Sequence, residues 1–243
     1  MCFDADSEPP VPRIAGAAVS HDDLTLTASD GNVFAAFVAA PEESTRTGVV
    51  VLPDVRGLYH FYEELALRFA ERGHAALAID YFGRTAGAQK RDDDFDYMPH
   101  VEQTTPEGVQ ADVAAAARRL REAGATALFT VGFCFGGRNS WLSAAAGHDL
   151  RGAVGFYGHP GTVLERVPEI ACPILALQAG ADPRITPYWN SLFDHALSCC
   201  EVEHELVVYD GAPHSFFDRK QAEFQDASDD AWSRTLEFVA RHA

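Results

Sequence analysis

From Gly48 to the end of the chain, short and almost wholly apolar runs alternate with helix-periodic stretches, and this alternation restricts the fold more than any other feature. Val49-Val50-Val51-Leu52, Ala75 to Ile79, Ala127 to Val131, Gly152 to Tyr157, Pro173 to Leu177 and Leu206 to Tyr209 read as strands. None shows the in-out alternation of a half-exposed strand, so both faces of each need a cover. Between and after them, Phe61 to Arg72, Pro106 to Ala123, Gly136 to Ala146, Pro187 to Cys199 and Gln225 to Arg241 carry helical periodicity, with Thr104 or Thr105 as the cap before Pro106. Such a succession builds an α/β fold, an open, twisted, mostly parallel sheet flanked by helices on both faces.

The chain enters this sheet differently. Leu24 to Ala28 and Val33 to Ala39, separated by Ser29-Asp30-Gly31-Asn32, read as an N-terminal antiparallel hairpin. Residues 1–20 are rich in prolines and small polar clusters and are expected to form an extended arm. Residues 21–243 are expected to form one domain, because no Pro/Gly/Ser-rich linker divides them. Residues 85–105 are polar and irregular, a length that marks a functional or mobile loop within a compact domain.

Charge narrows the partners. With 19 Lys and Arg against 36 Asp and Glu, the net charge is −17, which disfavours nucleic acid and anionic membrane surfaces. Asp92-Asp93-Asp94 reads as a solvated face. No apolar run approaches the ~20 residues of a membrane span, and the N-terminus lacks the basic and apolar regions of an export signal. The expected location is the cytoplasm. The 5 cysteines, Cys2, Cys134, Cys172, Cys199 and Cys200, lack metal-type spacing and read as reduced thiols. A small-molecule substrate is expected, with neither metal nor cofactor, on a monomer or small homo-oligomer.

One of these cysteines is set apart by its glycines. In Thr130-Val131-Gly132-Phe133-Cys134-Phe135-Gly136-Gly137 a buried strand breaks and a helix opens, with Cys134 on the turn. Glycines two residues before and after it allow strand and helix to approach closely, which projects the middle side chain from a strained turn. The helix N-terminus favours a thiolate and a developing oxyanion. Alone, the octet is equally a Gly-rich turn around a buried thiol.

Active sites in open α/β sheets gather beyond the carboxyl ends of the strands. Those ends offer Asp54, Asp80 with Arg84, Cys134, Tyr157 to His159, Asp182 and His214. Cys134, Asp182 and His214 follow the order nucleophile, acid, histidine, as in α/β-hydrolases. His214 would accept the Cys134 proton, and Asp182 would fix the imidazole tautomer. Tyr157 and Phe216 line a pocket by position, whereas His159 and His100 read as loop residues without placed partners.

Val131 to Gly137, Asp80-Tyr81-Phe82-Gly83-Arg84 and Gly211-Ala212-Pro213-His214-Ser215-Phe216-Phe217 together resemble the dienelactone hydrolase (carboxymethylenebutenolidase-like) family, from about residue 24 onward. The resemblance implies the α/β-hydrolase fold and a Cys134-Asp182-His214 triad. It implies an oxyanion hole from the backbone N–H groups of Val55 and Phe135. It puts Asp54 where the family carries a Glu that holds the resting cysteine as a thiol. It makes Arg84 the first of two arginines that bind a substrate carboxylate. The second belongs shortly after His214, where Asp218 stands and Arg219 follows one place late.

A thiolate attacks activated acyl carbons readily but is itself a good leaving group, which favours enol lactones, aryl esters and thioesters over peptides. The leading reading is therefore a hydrolase of an activated ester or lactone, carboxylated or neutral, acting through a thioester. A general carboxylesterase or thioesterase, a class I glutamine amidotransferase and a non-catalytic ligand-binding relative remain as alternatives.

Overall fold

A computed structural model describes Asp4, residues 6–92 and residues 94–243; Cys2 and the central residue of Asp92-Asp93-Asp94 fall outside these. The elements in chain order are β1 (Val19–Thr27), β2 (Val33–Pro41), β3 (Thr47–Leu52), α1 (His60–Ala70), β4 (Ala75–Ile79), α2 (Gly83–Ala86), α3 (Met98–Val101), α4 (Pro106–Glu122), β5 (Ala127–Phe133), α5 (Phe135–Ala144), β6 (Gly152–Phe156), β7 (Ile174–Ala179), α6 (Pro187–Cys199), β8 (His204–Tyr209) and α7 (Gln225–His242). Thr105 caps α4, its hydroxyl accepting the Gly108 N–H at 3.1 Å.

The strands form one 8-stranded sheet in the order β1-β2-β4-β3-β5-β6-β7-β8. β1 and β2 pair antiparallel, as do β2 and β4, and every later pairing is parallel. β1 begins at Val19 where the sequence pattern places its start at Leu24, because an edge strand tolerates the exposed Ser20-His21-Asp22-Asp23. The apolar runs of β3 to β7 are buried on both faces, as that pattern requires, but β8 is an edge strand whose residues are only partly buried and whose Val208 is exposed, so its run is not covered on both faces. Val49 and Val51 pack with Leu65, Phe69 and Trp232 under α1 and α7, while Val50 and Leu52 pack with Val113, Leu120 and Trp141 under α4 and α5.

This strand order creates a cleft. From β3 the chain moves outward to β4 and then returns across β3 to β5, so the connections leave β3 and β5 in opposite directions. Ligands bind at such switch points, beyond the carboxyl ends of the strands. The residues after Leu52 and those after Phe133 meet there, with Leu52 paired to Gly132.

Residues 85–105 contain α3 and are fastened from within. Arg91 donates to the buried Asp80 carboxylate at 2.7 Å and to the Gly87 carbonyl at 2.6 Å, and the Phe95 and His100 rings stack at 5.1 Å. The N-terminal arm is docked. Ser7, Pro9, Pro10 and Val11 are buried, Arg72 donates to the Pro12 carbonyl at 3.3 Å, and Gln225 donates to the Pro10 carbonyl at 3.1 Å. The arm thus spans from α1 to the segment that follows His214. Among the described residues no helix is long and apolar enough to cross a membrane.

Candidate active site

The turn between β5 and α5 is as tight as its glycines imply. A Cβ on Gly132 would lie 2.0 Å from the Gly136 carbonyl oxygen, and one on Gly136 would lie 2.0 Å from that of Leu52. Only glycine fits at either place. The compression puts Cys134 at φ 54°, ψ −109°, a region costing on the order of 1–3 kcal/mol for a non-glycine residue. Tyr157 (φ 37°) and Ser215 (φ 66°) share positive φ and flank the same cleft. Strain collects where the strand ends converge.

Asp182, after β7, and His214, after β8, reach the elbow from the neighbouring strands. His214 Nδ1 and Asp182 Oδ2 form a short hydrogen bond, and Asp182 Oδ1 accepts the Arg184 N–H at 2.8 Å. Burial alone would push the His214 imidazolium pKa down. Hydrogen bonds to Asp182 and to the Cys134 sulfur outweigh it and hold the pKa up at about 9. Burial likewise opposes ionisation of Asp182, but His214 and the Arg184 N–H bring its pKa below the usual carboxylate range. Tyr157 packs its ring 5.0 Å from the imidazole. The other described cysteines lack the elbow and the acid: burial pushes Cys172 up to about 12, Cys199 at the exposed end of α6 has its sulfur 3.4 Å from His195 Nε2, and Cys200 is exposed just beyond the helix.

Asp54 lies behind the cleft, fully buried. Its Oδ1 accepts the Arg56 N–H at 2.9 Å, and its own N–H donates to the Tyr62 hydroxyl at 2.8 Å. The Tyr81 hydroxyl donates to the Pro53 carbonyl at 2.8 Å; burial, then the charges of Asp54 and Asp80, hold it as a phenol. These contacts fix the turn that brings Val55 to the cleft. Phe135 opens α5, so its N–H has no acceptor within the helix. Val55, Cys134, Phe135, Tyr157 and His214 line a cleft of about 180 Å³. A separate hollow of about 260 Å³ between α6 and β8, lined by Asn190, Asp194 and Val208, holds none of these groups.

The sequence pattern of the dienelactone hydrolase family matches residues 34–243. The chain belongs to the dienelactone hydrolase family. A Yersinia pestis relative, provisionally named a carboxymethylenebutenolidase, is 26% identical over 237 residues, covering 91% of this chain and 89% of its own. A Bradyrhizobium relative, provisionally named a 2-oxo-3-(5-oxofuran-2-ylidene)propanoate lactonase, is 28% identical over 234 residues, covering 88% of this chain and 92% of its own. The crystal structure of a provisionally assigned dienelactone hydrolase from Klebsiella pneumoniae superposes with a TM-score of 0.80 at 24% identity, covering 92% of this chain and 99% of the other.

Within this dienelactone hydrolase fold, the two arginines expected to bind a carboxylate do not reach the cleft. Arg84 is held at 2.7 Å by Asp30 of the β1–β2 turn and at 2.6 Å by Asp112 of α4. Asp112 is fully buried and also accepts from Asn32 at 2.9 Å, so Arg84 serves as its counter-charge. Arg219 is turned toward the arm, where it pairs with Glu8 and donates its N–H to the Glu8 carbonyl at 2.9 Å. Phe216 is fully buried behind Tyr157, 5.6 Å ring to ring, and does not line the cleft. The expected loop residue His159 does line it, with its ring 4.8 Å from Trp189.

Arg138, Arg184 and Ile185 also line the cleft and were not expected there. Arg138 had a readable signal, since it stands four residues after Cys134 in the helix that the elbow opens. Residues at that spacing share a helix face. Arg184 had a weaker one, following Asp182 by two residues on the same loop.

Proposed function

We propose that this chain hydrolyses an activated ester or lactone by nucleophilic catalysis at Cys134. The observation that carries the reading is the hydrogen-bonded line Cys134–His214–Asp182, starting from a strained elbow that opens on the cleft. With Nδ1 committed to Asp182, the Nε2 side of His214 is left for the sulfur. The hydrogen bonds to Asp182 and Cys134 favour the imidazolium form of His214, the form that holds the proton to be given to the leaving oxygen.

In the first half-reaction the Cys134 sulfur adds to the acyl carbon. The carbonyl oxygen takes up negative charge facing the N–H groups of Val55 and Phe135. Collapse breaks the bond to the leaving oxygen, which receives the His214 proton, and a thioester remains on Cys134. For a lactone the leaving oxygen stays on the acyl chain. In the second half His214 takes a proton from water, whose oxygen displaces sulfur and releases a carboxylate. Asp54 is assigned a positioning role, because its carboxylate fixes the turn that presents the Val55 N–H. An enol or aryl leaving group suits the thiolate, because it competes with sulfur for departure from the adduct far better than an alkoxide or an amine does.

Brief exposure to p-nitrophenyl acetate followed by intact-protein mass spectrometry tests the reading. One acetyl group should appear on Cys134, decay as acetate is released, and be absent from Cys134→Ala. A folded protein that releases p-nitrophenol while Cys134 stays unmodified, or a Cys134→Ala variant that retains the wild-type rate, would overturn it.

A further inference from the structure

Arg138 and Arg184 both line the cleft that holds Cys134, and no carboxylate of the described residues lies within ion-pair distance of either. Several other arginines are neutralised by carboxylates. Arg68 is paired with Glu64 and Glu71, Arg84 with Asp30 and Asp112, Arg91 with Asp80, and Arg234 with Glu205 and Asp230. Arg46, Arg119, Arg151 and Arg241 also have no carboxylate at ion-pair distance among the described residues, but none of them lines the cleft, whereas Arg138 and Arg184 do.

Arg138 is also held in place. Its N–H donates to the Cys134 carbonyl at 3.3 Å, which puts it one helical turn beyond the nucleophile. Helical side chains lean toward the N-terminus, so the guanidinium swings back and stacks 4.6 Å over the Phe135 ring. There it is half-buried, and burial lowers its pKa while the Cys134 charge partly offsets that. A desolvated guanidinium without a counter-ion is a standing cost that an incoming anion relieves. Burial and the nearby Arg138 charge lower the pKa of His159 and favour its neutral form, leaving the arginines to supply positive charge on this wall. Arg184 is exposed and stands at the rim.

We infer that Arg138, assisted by Arg184, is the anion subsite of this cleft and holds a carboxylate carried by the substrate a few atoms from the scissile carbonyl. The inference rests on Cys134 being the reacting residue, and it assigns the substrate to monoanionic activated esters or lactones. Arg84 and Arg219 are excluded from that role by the carboxylates they already serve.

The experiment compares alkylation of Cys134 by iodoacetate and by iodoacetamide, followed by mass spectrometry and normalised to the same ratio for N-acetylcysteine. The normalised ratio should favour iodoacetate by about tenfold or more in the native protein, the order expected of one charge-assisted hydrogen bond. It should collapse toward unity in Arg138→Gln, persist largely in Arg138→Lys, fall partly in Arg184→Gln and stay at the native value in Arg84→Gln. In parallel, kcat/KM for p-nitrophenyl hemisuccinate should fall at least tenfold more than that for p-nitrophenyl acetate in Arg138→Gln. A native ratio near unity, an unchanged ratio in Arg138→Gln, or a collapse produced by Arg84→Gln would overturn the assignment. Alkylation needs no turnover, so an iodoacetate preference without an acyl adduct would uphold the subsite and remove the thioester mechanism. An acyl adduct with no charge preference would do the reverse.

Discussion

Gly136→Ala is the most direct perturbation of the elbow. The added methyl would sit 2.0 Å from the Leu52 carbonyl oxygen and 2.3 Å from that of Pro53. Real Cβ atoms do not approach a neighbour within 3.0 Å, so α5 must withdraw from the end of β3 by about 1.0 Å, the difference between 3.0 and 2.0 Å. Neither obstacle can rotate aside, because both are backbone and Leu52 is tied into the β3–β5 ladder opposite Gly132. Overpacking of this kind costs roughly 1–3 kcal/mol. The same displacement separates the Phe135 N–H from the Val55 N–H across the cleft, and a misplacement of about 1 Å is worth roughly 100-fold in rate. Urea unfolding and initial rates on p-nitrophenyl acetate should therefore both change: a loss of up to about 3 kcal/mol and a roughly 100-fold lower kcat/KM in protein that is still folded. Gly147→Ala provides the contrast. It has φ 73° and no neighbour within 4 Å, so it should lose about 1 kcal/mol and keep its activity. A Gly136→Ala variant with native rate and stability would refute the close-approach argument.

Other outcomes follow from the charges. Asp182→Asn should lower kcat by roughly 10,000-fold with little change in fold, because the amide presents the wrong tautomer to His214; near-native turnover would remove Asp182 from the mechanism. His214 has a folded pKa raised to about 9 from an unfolded 6.5. Its contribution to stability should be fully present below pH 6.5 and lost as pH rises through about 9. Urea midpoints across that window should fall in the native protein, and His214→Gln should lack this component. Arg84→Ala leaves the buried Asp112 with only Asn32, and should cost about 3 kcal/mol in urea unfolding, with Asp112→Asn in the same chain restoring part of it. An Arg84→Ala protein of native stability would show that Asp112 needs no counter-charge.

The sheet was legible because its central strands are buried on both faces and so write themselves as unbroken apolar runs. The elbow was legible because two backbone carbonyls press on it, and only glycine yields there. Asp182 and His214 were legible from their places after successive strands. The arginines were harder to read, since which carboxylate neutralises which guanidinium is decided across the fold. Arg84 meets Asp112 on a helix 28 positions later and Asp30 in a turn 54 positions earlier, with no local sign of either. Arg219 points to the arm for the same reason. Arg138 stands at a spacing that sequence can supply, one helical turn after Cys134, but its lack of a carboxylate partner is set by the fold and leaves no local sign. Phe216 was placed by strand position, which brought it to the right region but left its burial behind Tyr157 unresolved.

The docked arm bears on how the protein assembles. Lys220 bonds Asp6 at 2.5 Å across 214 positions, and Gln225 bonds the Pro10 carbonyl across 215. The arm thus finds these partners only after residues 220 and 225 have been made. Contacts this distant in sequence close a very large loop and form late. The segment they secure begins six residues after His214, so the loop beyond the histidine is fastened only when the arm and residues 220–225 are both present. A nascent chain can carry a finished elbow with Cys134 exposed while the loop that carries His214 has yet to be fastened in place.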